Sequence, residues 1–325
     1  MPAYLLRRLL HALAIVAFAT IASFVLLQLA PGNPLQAELE QPGRTAKQRS
    51  VLRKRYGLER SLPAQVIRYV EHVTLGDLGV SISEQRPVTA VLADALPATL
   101  LLSGTALALS VLVGVGTGTV QGWRPRDRLS AAVGTMLMTF YALPDVVVAV
   151  AVLSILGLHL RLFPVGGVSD PMVALTGDLG ARLLDRAWHV ALPAMTLALS
   201  WGAAIARQQR VAIREVASEY FVRTARAKGV RPYAVWARHA LRPSLPGTVA
   251  LIGTMVPVLV GGTVVVESLF SWSGMGALLV RAVSQRDYPL VAGAVILISL
   301  VTAGGTLVTD VAVAALDPRV RAGIR

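Results

Sequence analysis

The chain has 325 residues, of which 54% are hydrophobic and only 15% are charged, and its formal net charge is +13. Soluble domains carry about 25% charged residues, so the composition excludes an ordinary soluble protein. The lack of cysteine excludes disulfides, Cys-ligated zinc and iron–sulfur clusters. A charge this positive is also typical of nucleic-acid-binding proteins. The distribution of the charge along the chain, described below, decides between a nucleic-acid-binding protein and a membrane protein.

The first apolar stretch covers residues 9–29 and follows Arg7 and Arg8. A spanning helix needs about 20 residues, whereas the apolar part of a signal peptide has about 7–15. We therefore predict an uncleaved first transmembrane helix within residues 1–30, with its N-terminus in the cytoplasm. Residues 31–97 are the main polar segment and are predicted to be extracytoplasmic, with helical character over 62–73 and a turn over 76–81.

The second and third spans are predicted over residues 98–120 and 131–160. Gly114, Gly118 and Gly122 are four residues apart, which places them on one helix face and allows close approach of another helix. Pro144 is predicted to kink the third span, and the adjacent Asp145 is a costly charge at membrane depth. Asp145 either faces a transport pathway or makes an internal hydrogen bond that stiffens the kink, and the sequence leaves both open.

The remaining spans are predicted over residues 189–206, 247–266 and 288–313, giving six in total. A semi-polar segment with Glu267, Phe270 and Trp272 follows the fifth span and is predicted to dip toward the outer mouth of a pathway. The two aromatic side chains either contact cargo or belong to an interfacial aromatic belt.

A basic stretch between the fourth and fifth spans is the main candidate site. Residues 207–245 hold nine Lys/Arg against two acidic residues. The pattern predicts two short helices, the first capped by Ser218 and ended by Gly229 in the left-handed conformation. Pro232 suits the first turn of the second helix and Pro243 is predicted to stop it. On charge alone, this stretch is more typical of a solvated loop that obeys the positive-inside rule than of a docking element.

The charge distribution supports an orientation with both termini in the cytoplasm. With six spans, the cytoplasmic segments hold 17 Lys/Arg and four acids, whereas the external segments hold 14 Lys/Arg and 12 acids. This asymmetry follows the positive-inside rule. It assigns the excess positive charge to the inner membrane face, so a nucleic-acid partner is not required.

The stretch Arg223-Thr224-Ala225-Arg226-Ala227-Lys228-Gly229, preceded by Tyr220, resembles the cytoplasmic loop of permease subunits of binding-protein-dependent ABC importers. The general family pattern has Glu and Ala where Arg223 and Thr224 stand, but the dipeptide/oligopeptide/nickel branch has the variant found here. One departure is Phe221, which intervenes after Tyr220. Residues 267–276 resemble another segment of this branch, with Ser273 in place of its Pro.

The resemblance covers nearly the whole chain and implies an all-α integral membrane protein with the type I ABC importer permease fold. It divides the chain into residues 1–30, the external segment 31–97 and a five-helix core 98–325 that carries a coupling loop at 207–245. The implied location is the bacterial inner membrane. The implied partners are a second homologous permease, two cytoplasmic ATPase subunits and an extracytoplasmic substrate-binding protein. The cargo is expected to be peptides, with nickel chelates or glutathione as alternatives.

The resemblance also implies roles for particular residues. The ATPase-coupling residues are Tyr220, Arg223, Thr224, Ala225, Arg226, Ala227, Lys228 and Gly229, and the pathway candidates are Asp145, Glu267, Phe270 and Trp272. No catalytic motif, metal site or cofactor site is expected, because no His-Glu-x-x-His, Gly-x-Ser-x-Gly or phosphate-loop pattern occurs. ATP is therefore expected to bind the partner subunits. The alternative is a self-contained secondary transporter or channel, which would show inverted repeats or several intramembrane charges.

Overall fold

A computed structural model describes residues 2–29, 61–124, 127–261 and 263–316, and these residues are almost entirely helical. In chain order the helices are α1 (Pro2–Leu29), α2 (Leu62–Thr74), α3 (Val88–Trp123), α4 (Arg128–Ala142), α5 (Asp145–Val152), α6 (Pro171–Thr176), α7 (Leu179–Ser218), α8 (Tyr220–Ala227), α9 (Pro232–Ala234), α10 (Arg242–Gly261), α11 (Val264–Leu269), α12 (Met275–Ser284) and α13 (Tyr288–Leu316). Two π-helical segments, Leu153–His159 and Val235–Leu241, continue α5 and α9. Within the described residues, the β pairing is the isolated bridge between Val80 and Pro87.

The described helices confirm an all-α protein with several membrane spans. By length and composition, α1, α3, α7 and α13 are able to cross a membrane, and the α4–α5 pair adds a fifth span if its two bent halves are counted together. Helix α10 has 20 residues and lies where the fifth span is predicted. Two predicted spans prove too short, because α3 has 36 residues and α7 has 40.

The predicted kink in the third span is a complete break. Helix α4 ends at Ala142, Leu143 is extended, and α5 begins directly after Pro144. The chain direction bends by 113° between the two halves. The residue before a proline is sterically disfavoured in the helical conformation, so the helix ends before Leu143 instead of bending through it.

The described chain divides into two compact units, the first made of Met1–Pro97 and Leu278–Gly304. In this unit α1 contacts α2 through Phe24 and Tyr69, whose ring centroids are 5.1 Å apart. Burial raises the pKa of Tyr69 to about 12. The predicted helix over 62–73 and the turn after it are confirmed, whereas residues 31–60 of the predicted external segment lie outside the described residues.

A buried carboxylate organises the loop of this unit that precedes α3. Asp287 accepts hydrogen bonds from the Ser83 amide and the Ser83 hydroxyl, at 2.9 and 2.7 Å, and from the hydroxyl of Ser81. Burial raises the pKa of Asp287, but the hydrogen bonds from Ser81 and Ser83 outweigh it and leave the pKa below its usual value. The carboxylate is therefore charged at neutral pH and ties residues 81–83 to the start of α13.

The second unit comprises Ala98–Ala277 and Gly305–Arg325, and α7 is its central helix. In the apolar stretch of α7, 72% of the residues are buried inside the fold, against 33% in the apolar stretch of α3. The predicted glycine face of α3 packs against α7. A Cβ atom at Gly114 would lie 2.7 Å from the Gly202 carbonyl oxygen, and one at Gly122 would lie 2.8 Å from that of Arg210. The contact therefore requires glycine on α3, as predicted from the four-residue spacing.

Candidate functional site

The basic stretch folds into an elbow, defined as residues 219–241, between α7 and α10. Its first helix, α8, begins after Glu219, which is extended and makes no capping hydrogen bond through its side chain. Ser218, predicted to be the cap, instead ends α7, and its hydroxyl donates to the Glu215 carbonyl at 2.7 Å. The prediction of this cap is wrong because α7 continues to Ser218, which places that hydroxyl over the preceding turn.

The end of α8 follows the prediction for Gly229. This residue has φ = +74°, and the amides of Gly229 and Val230 donate to the carbonyls of Arg226 and Ala225 at 3.0 and 3.2 Å. These are the two hydrogen bonds of a Schellman motif, which favours glycine at this position. A Cβ atom on Gly229 would meet nothing within 4 Å, so Gly229 faces open space.

The second half of the elbow differs from the predicted short helix. Pro232 opens α9, as predicted, but the chain then continues through the π-helical segment into α10 without stopping at Pro243. A π-helical turn is one of the local adjustments that allow a proline within a helix. The segment Val235–Leu241 directly precedes Pro243, so the elbow and α10 form one continuous helical path.

One face of the elbow is buried. Its apolar cluster consists of Val222, Ala225 and Val235, with Trp123, Val216 and Val230 packed against it. Ala225 is 6% exposed and Val222 is fully buried. Ala225, one of the predicted coupling residues, therefore faces inward, and its methyl group fills the space between α8 and the rest of the unit.

Two arginines of the elbow stack on aromatic rings. The Arg226 guanidinium lies 4.8 Å from the ring centroid of Trp123, the last residue of α3, and that of Arg223 lies 5.7 Å from the ring of Tyr220. At exposed sites such contacts contribute about 0.5–1 kcal/mol. Arg226 thus ties α8 to α3.

The opposite face of the elbow is exposed and mixes basic and aromatic side chains. The exposed residues of the elbow are Glu219, Tyr220, Phe221, Arg223, Thr224, Arg226, Ala227, Lys228, Gly229, Arg231, Pro232, Tyr233 and Arg238. Tyr220 is 82% exposed and Tyr233 is 75% exposed. Tyr233 was missed from the sequence, although an aromatic residue directly after the helix-starting Pro232 was an available signal. Seven of the eight predicted coupling residues lie on this face, and Ala225 does not.

Asp145, the first pathway candidate, is the first residue of α5, directly after the break at Pro144. It is half-buried. A carboxylate in the first turn of a helix is stabilised by the helix dipole, which makes this charge less costly than one in the middle of an unbroken span. Its part in a pathway remains a prediction.

Glu267, the second candidate, is fully buried and its carboxylate joins distant parts of the second unit. Oε1 accepts hydrogen bonds from the hydroxyls of Thr99 and Thr263 at 2.8 and 2.9 Å. Oε2 accepts from the amides of Gly276 and Ala277 at 2.7 and 3.1 Å. We call this arrangement the Glu267 knot. It attaches the segment after α10 to α3 at Thr99.

Phe270 and Trp272 are also buried, at 1% and 0% exposure, and belong to the main apolar core of the second unit. The Trp272 indole N–H donates to the Ala98 carbonyl at 2.8 Å, and the Phe270 carbonyl accepts from the Gly167 amide at 2.9 Å. This burial contradicts the expectation of an interfacial aromatic belt. In this conformation both side chains hold the segment in place within the fold.

No metal-binding arrangement is evident in the described ranges, where no three His, Asp or Glu side chains form a group suited to a metal ion. The second unit thus has two notable features. One is the segment after α10 that the Glu267 knot holds by hydrogen bonds, and the other is the elbow, with an apolar inner face and an exposed basic and aromatic outer face.

Comparisons with known proteins identify the family. Residues 82–322 match the family "Binding-protein-dependent transport system inner membrane component", and residues 1–103 match the N-terminal region of such membrane components. A Brucella suis protein named as a peptide permease is 35% identical, with 98% of each chain covered. The oligopeptide transport system permease protein AppB of Bacillus subtilis is 31% identical, with 98% of this chain and 99% of that protein covered.

Two further matches extend this result. The glutathione transport system permease protein GsiC of Salmonella typhimurium is 33% identical, with 98% of each chain covered. Among solved structures, a chain of the MetNI methionine ABC transporter in inward facing conformations matches with a TM-score of 0.54 and 17% identity. The match covers 70% of this chain and 96% of that chain and shows a shared fold. This chain therefore belongs to the binding-protein-dependent transport system inner membrane components, as a multi-pass permease of the peptide type of ABC importer.

Proposed function

We propose that this chain forms part of the translocation pathway of a peptide importer and that its elbow couples this pathway to a separate ATPase. The observation that carries the proposal is the two-faced elbow, with a buried apolar cluster on one side and an exposed basic and aromatic surface on the other. Peptides are the proposed cargo, because relatives covering the whole chain are named as peptide and oligopeptide permeases. Glutathione is the alternative cargo, because a relative of similar identity is named for it.

The packing of the elbow supports its proposed role as a rigid lever. Val222, Ala225 and Val235 join α8 to the π-helical segment, and Trp123 and Val216 connect this cluster to α3 and α7. A force on the outer face is therefore passed to α3, α7 and α10 together. Such rigid-body movements of packed elements are a common form of switching between two states.

The outer face of the elbow has the composition of a docking surface. Aromatic residues and arginine are enriched in protein interfaces, and Tyr220, Tyr233 and Arg223 are all exposed here. The basic side chains favour an acidic groove on the partner. The proposed complex contains a second, similar permease, two ATPase subunits that bind the ATP, and an extracytoplasmic substrate-binding protein.

The test is the substitution Gly229→Leu in the reconstituted complex. At φ = +74° a side chain costs roughly 1–2 kcal/mol in backbone strain, too little to unfold the chain, but it projects from the outer face into open space. We expect normal insertion and continued ATP hydrolysis, with uptake reduced by at least about tenfold. This reduction lies within the range by which two coupled sites of a protein usually affect each other. Uptake is measured with tritiated trialanine and tritiated glutathione as probes.

The matched control is Gly76→Leu, since Gly76 has φ = +81° and also faces open space, but lies outside the elbow. It carries the same backbone strain and should leave uptake per ATP unchanged. Normal uptake by the Gly229→Leu complex would refute the lever. Uptake by the purified chain without any ATPase would instead support a self-contained transporter.

A further inference from the structure

Gln209 is the polar member of an otherwise apolar stripe on α7. Ile205 and Ile213 lie four residues before and after it, and all three side chains are fully buried. A buried amide is costly unless its hydrogen bonds are made, whereas a methionine of similar length fills the same space without this requirement. The amide therefore supplies something that packing alone does not demand.

The amide of Gln209 is bonded entirely to side chains of α10. Its Nε2 donates to the Ser244 hydroxyl at 2.9 Å, and its Oε1 accepts from the Thr248 hydroxyl at 2.6 Å. The Ser244 hydroxyl donates in turn to the Leu241 carbonyl at 2.7 Å. We call this set the Gln209 brace. It extends from the C-terminal part of α7 to the last residue of the elbow.

The Gln209 brace lies where three helices meet beside the elbow. A Cβ atom on Gly118 of α3 would lie 2.9 Å from the Cβ atom of Gln209, so α3 packs closely against α7 at this residue. Helix α7 enters the elbow at Ser218 and α10 leaves it at Arg242. The brace therefore connects the two helices on either side of the elbow.

We propose that Gln209 is a positioning residue that holds α7 and α10 in one register, so that a displacement of the elbow moves both helices as a single body. Apolar contacts between helices are non-directional and allow sliding, whereas hydrogen bonds depend on distance and angle. A single buried polar side chain fixes the register of helix pairs in coiled coils in the same way. The inference rests on the proposed docking of the elbow on an ATPase.

The experiment measures the distance between α7 and α10 directly. The chain has no cysteine, so Val211→Cys and Thr254→Cys, at exposed positions on α7 and α10, accept spin labels at these two sites alone. The full complex, with cysteine-free partner subunits, is measured by pulsed electron resonance without nucleotide and after trapping with ATP and vanadate. We expect one narrow distance that is the same in both states.

Gln209→Met is expected to broaden this distance distribution and to shift it between the two states. Thr248→Val removes the same bond from the α10 side and is expected to give the same broadening, which keeps the test valid if one variant assembles poorly. Gln208→Met is the matched control, because it makes the same chemical change one position earlier. The Gln208 side chain lies beside Gly247 of α10 but outside the brace, so this variant should leave the distance unchanged.

Two results would overturn the inference. One is an unchanged distance in both Gln209→Met and Thr248→Val, and the other is a large change on trapping in the unaltered protein. Failure of the proposed function is detected separately with Lys228→Cys on the outer face of the elbow. If this residue forms no cross-link to the ATPase, the docking is refuted whatever the distance between α7 and α10.

Discussion

Replacing Gly118 with leucine is expected to abolish accumulation of the folded chain in the membrane. A Cβ atom at this position collides with the Ala206 carbonyl oxygen and would lie 2.9 Å from the Cβ atom of Gln209. The obstacle is backbone and cannot rotate away, so α3 and α7 must separate. Adding bulk to a well-packed site costs about 1–3 kcal/mol and sometimes more, and this change also opens the contacts at Gly114 and Gly122.

The measurement is the amount of monodisperse chain recovered in detergent, together with its melting temperature. Gly104→Leu is the control, because Gly104 lies on the same helix but a Cβ atom there meets nothing within 4 Å. Both variants introduce the same side chain into α3, and only Gly118→Leu should fail. Equal recovery of the two variants would show that the glycine face is not required for the packing of α3 on α7.

Replacing Glu267 with alanine is expected to cause the second largest loss of stability. The change leaves two hydroxyls and two backbone amides of the Glu267 knot without their acceptor. Each buried group left unpaired costs about 1–3 kcal/mol, and partial relaxation of the segment reduces their sum. We therefore expect the free energy of unfolding to fall by roughly 3–5 kcal/mol, at the lower end of the cost of four unpaired donors.

Thr99→Val and a double variant show whether the loss comes from the Glu267 knot. Thr99→Val removes one donor to Glu267 and also the acceptor of the Met275 amide, so it should cost about 1–3 kcal/mol. The double variant should cost less than the two single losses together, because the two residues share a bond. Glu84→Ala, at an exposed glutamate, is the control and should change stability little. Strict additivity in the unfolding measurements would mean that Glu267 acts independently of Thr99.

The elbow shows which structural features can be predicted from local sequence patterns and which cannot. Gly229 was placed correctly, since a left-handed helix end is a local backbone requirement that glycine meets at low cost. Ser218 and Pro243 were assigned wrongly, because each residue is compatible with more than one local structure. The choice depended on the length of α7 and on the π-helical segment before Pro243.

The buried segment after α10 was harder to interpret from the sequence. The sequence pattern around Phe270 and Trp272 is typical of residues at a membrane interface. In the fold, however, the two residues are buried and form hydrogen bonds with Gly167 and Ala98. Gln209 was missed altogether, since one of two adjacent glutamines just after a predicted apolar span has no local signature. Its partners Ser244 and Thr248 lie on a different helix.

The sequence by itself determined the all-helical membrane class, the position of most spans, the glycine face of α3 and the place of the elbow. These features depend on composition and on the 3.6-residue period, which are properties of short stretches of chain. Only the tertiary structure decided that Ala225 faces inward, that Glu267 is enclosed by four donors and that Gln209 braces α10. Each of these depends on groups far apart in the chain that come together only when the helices pack.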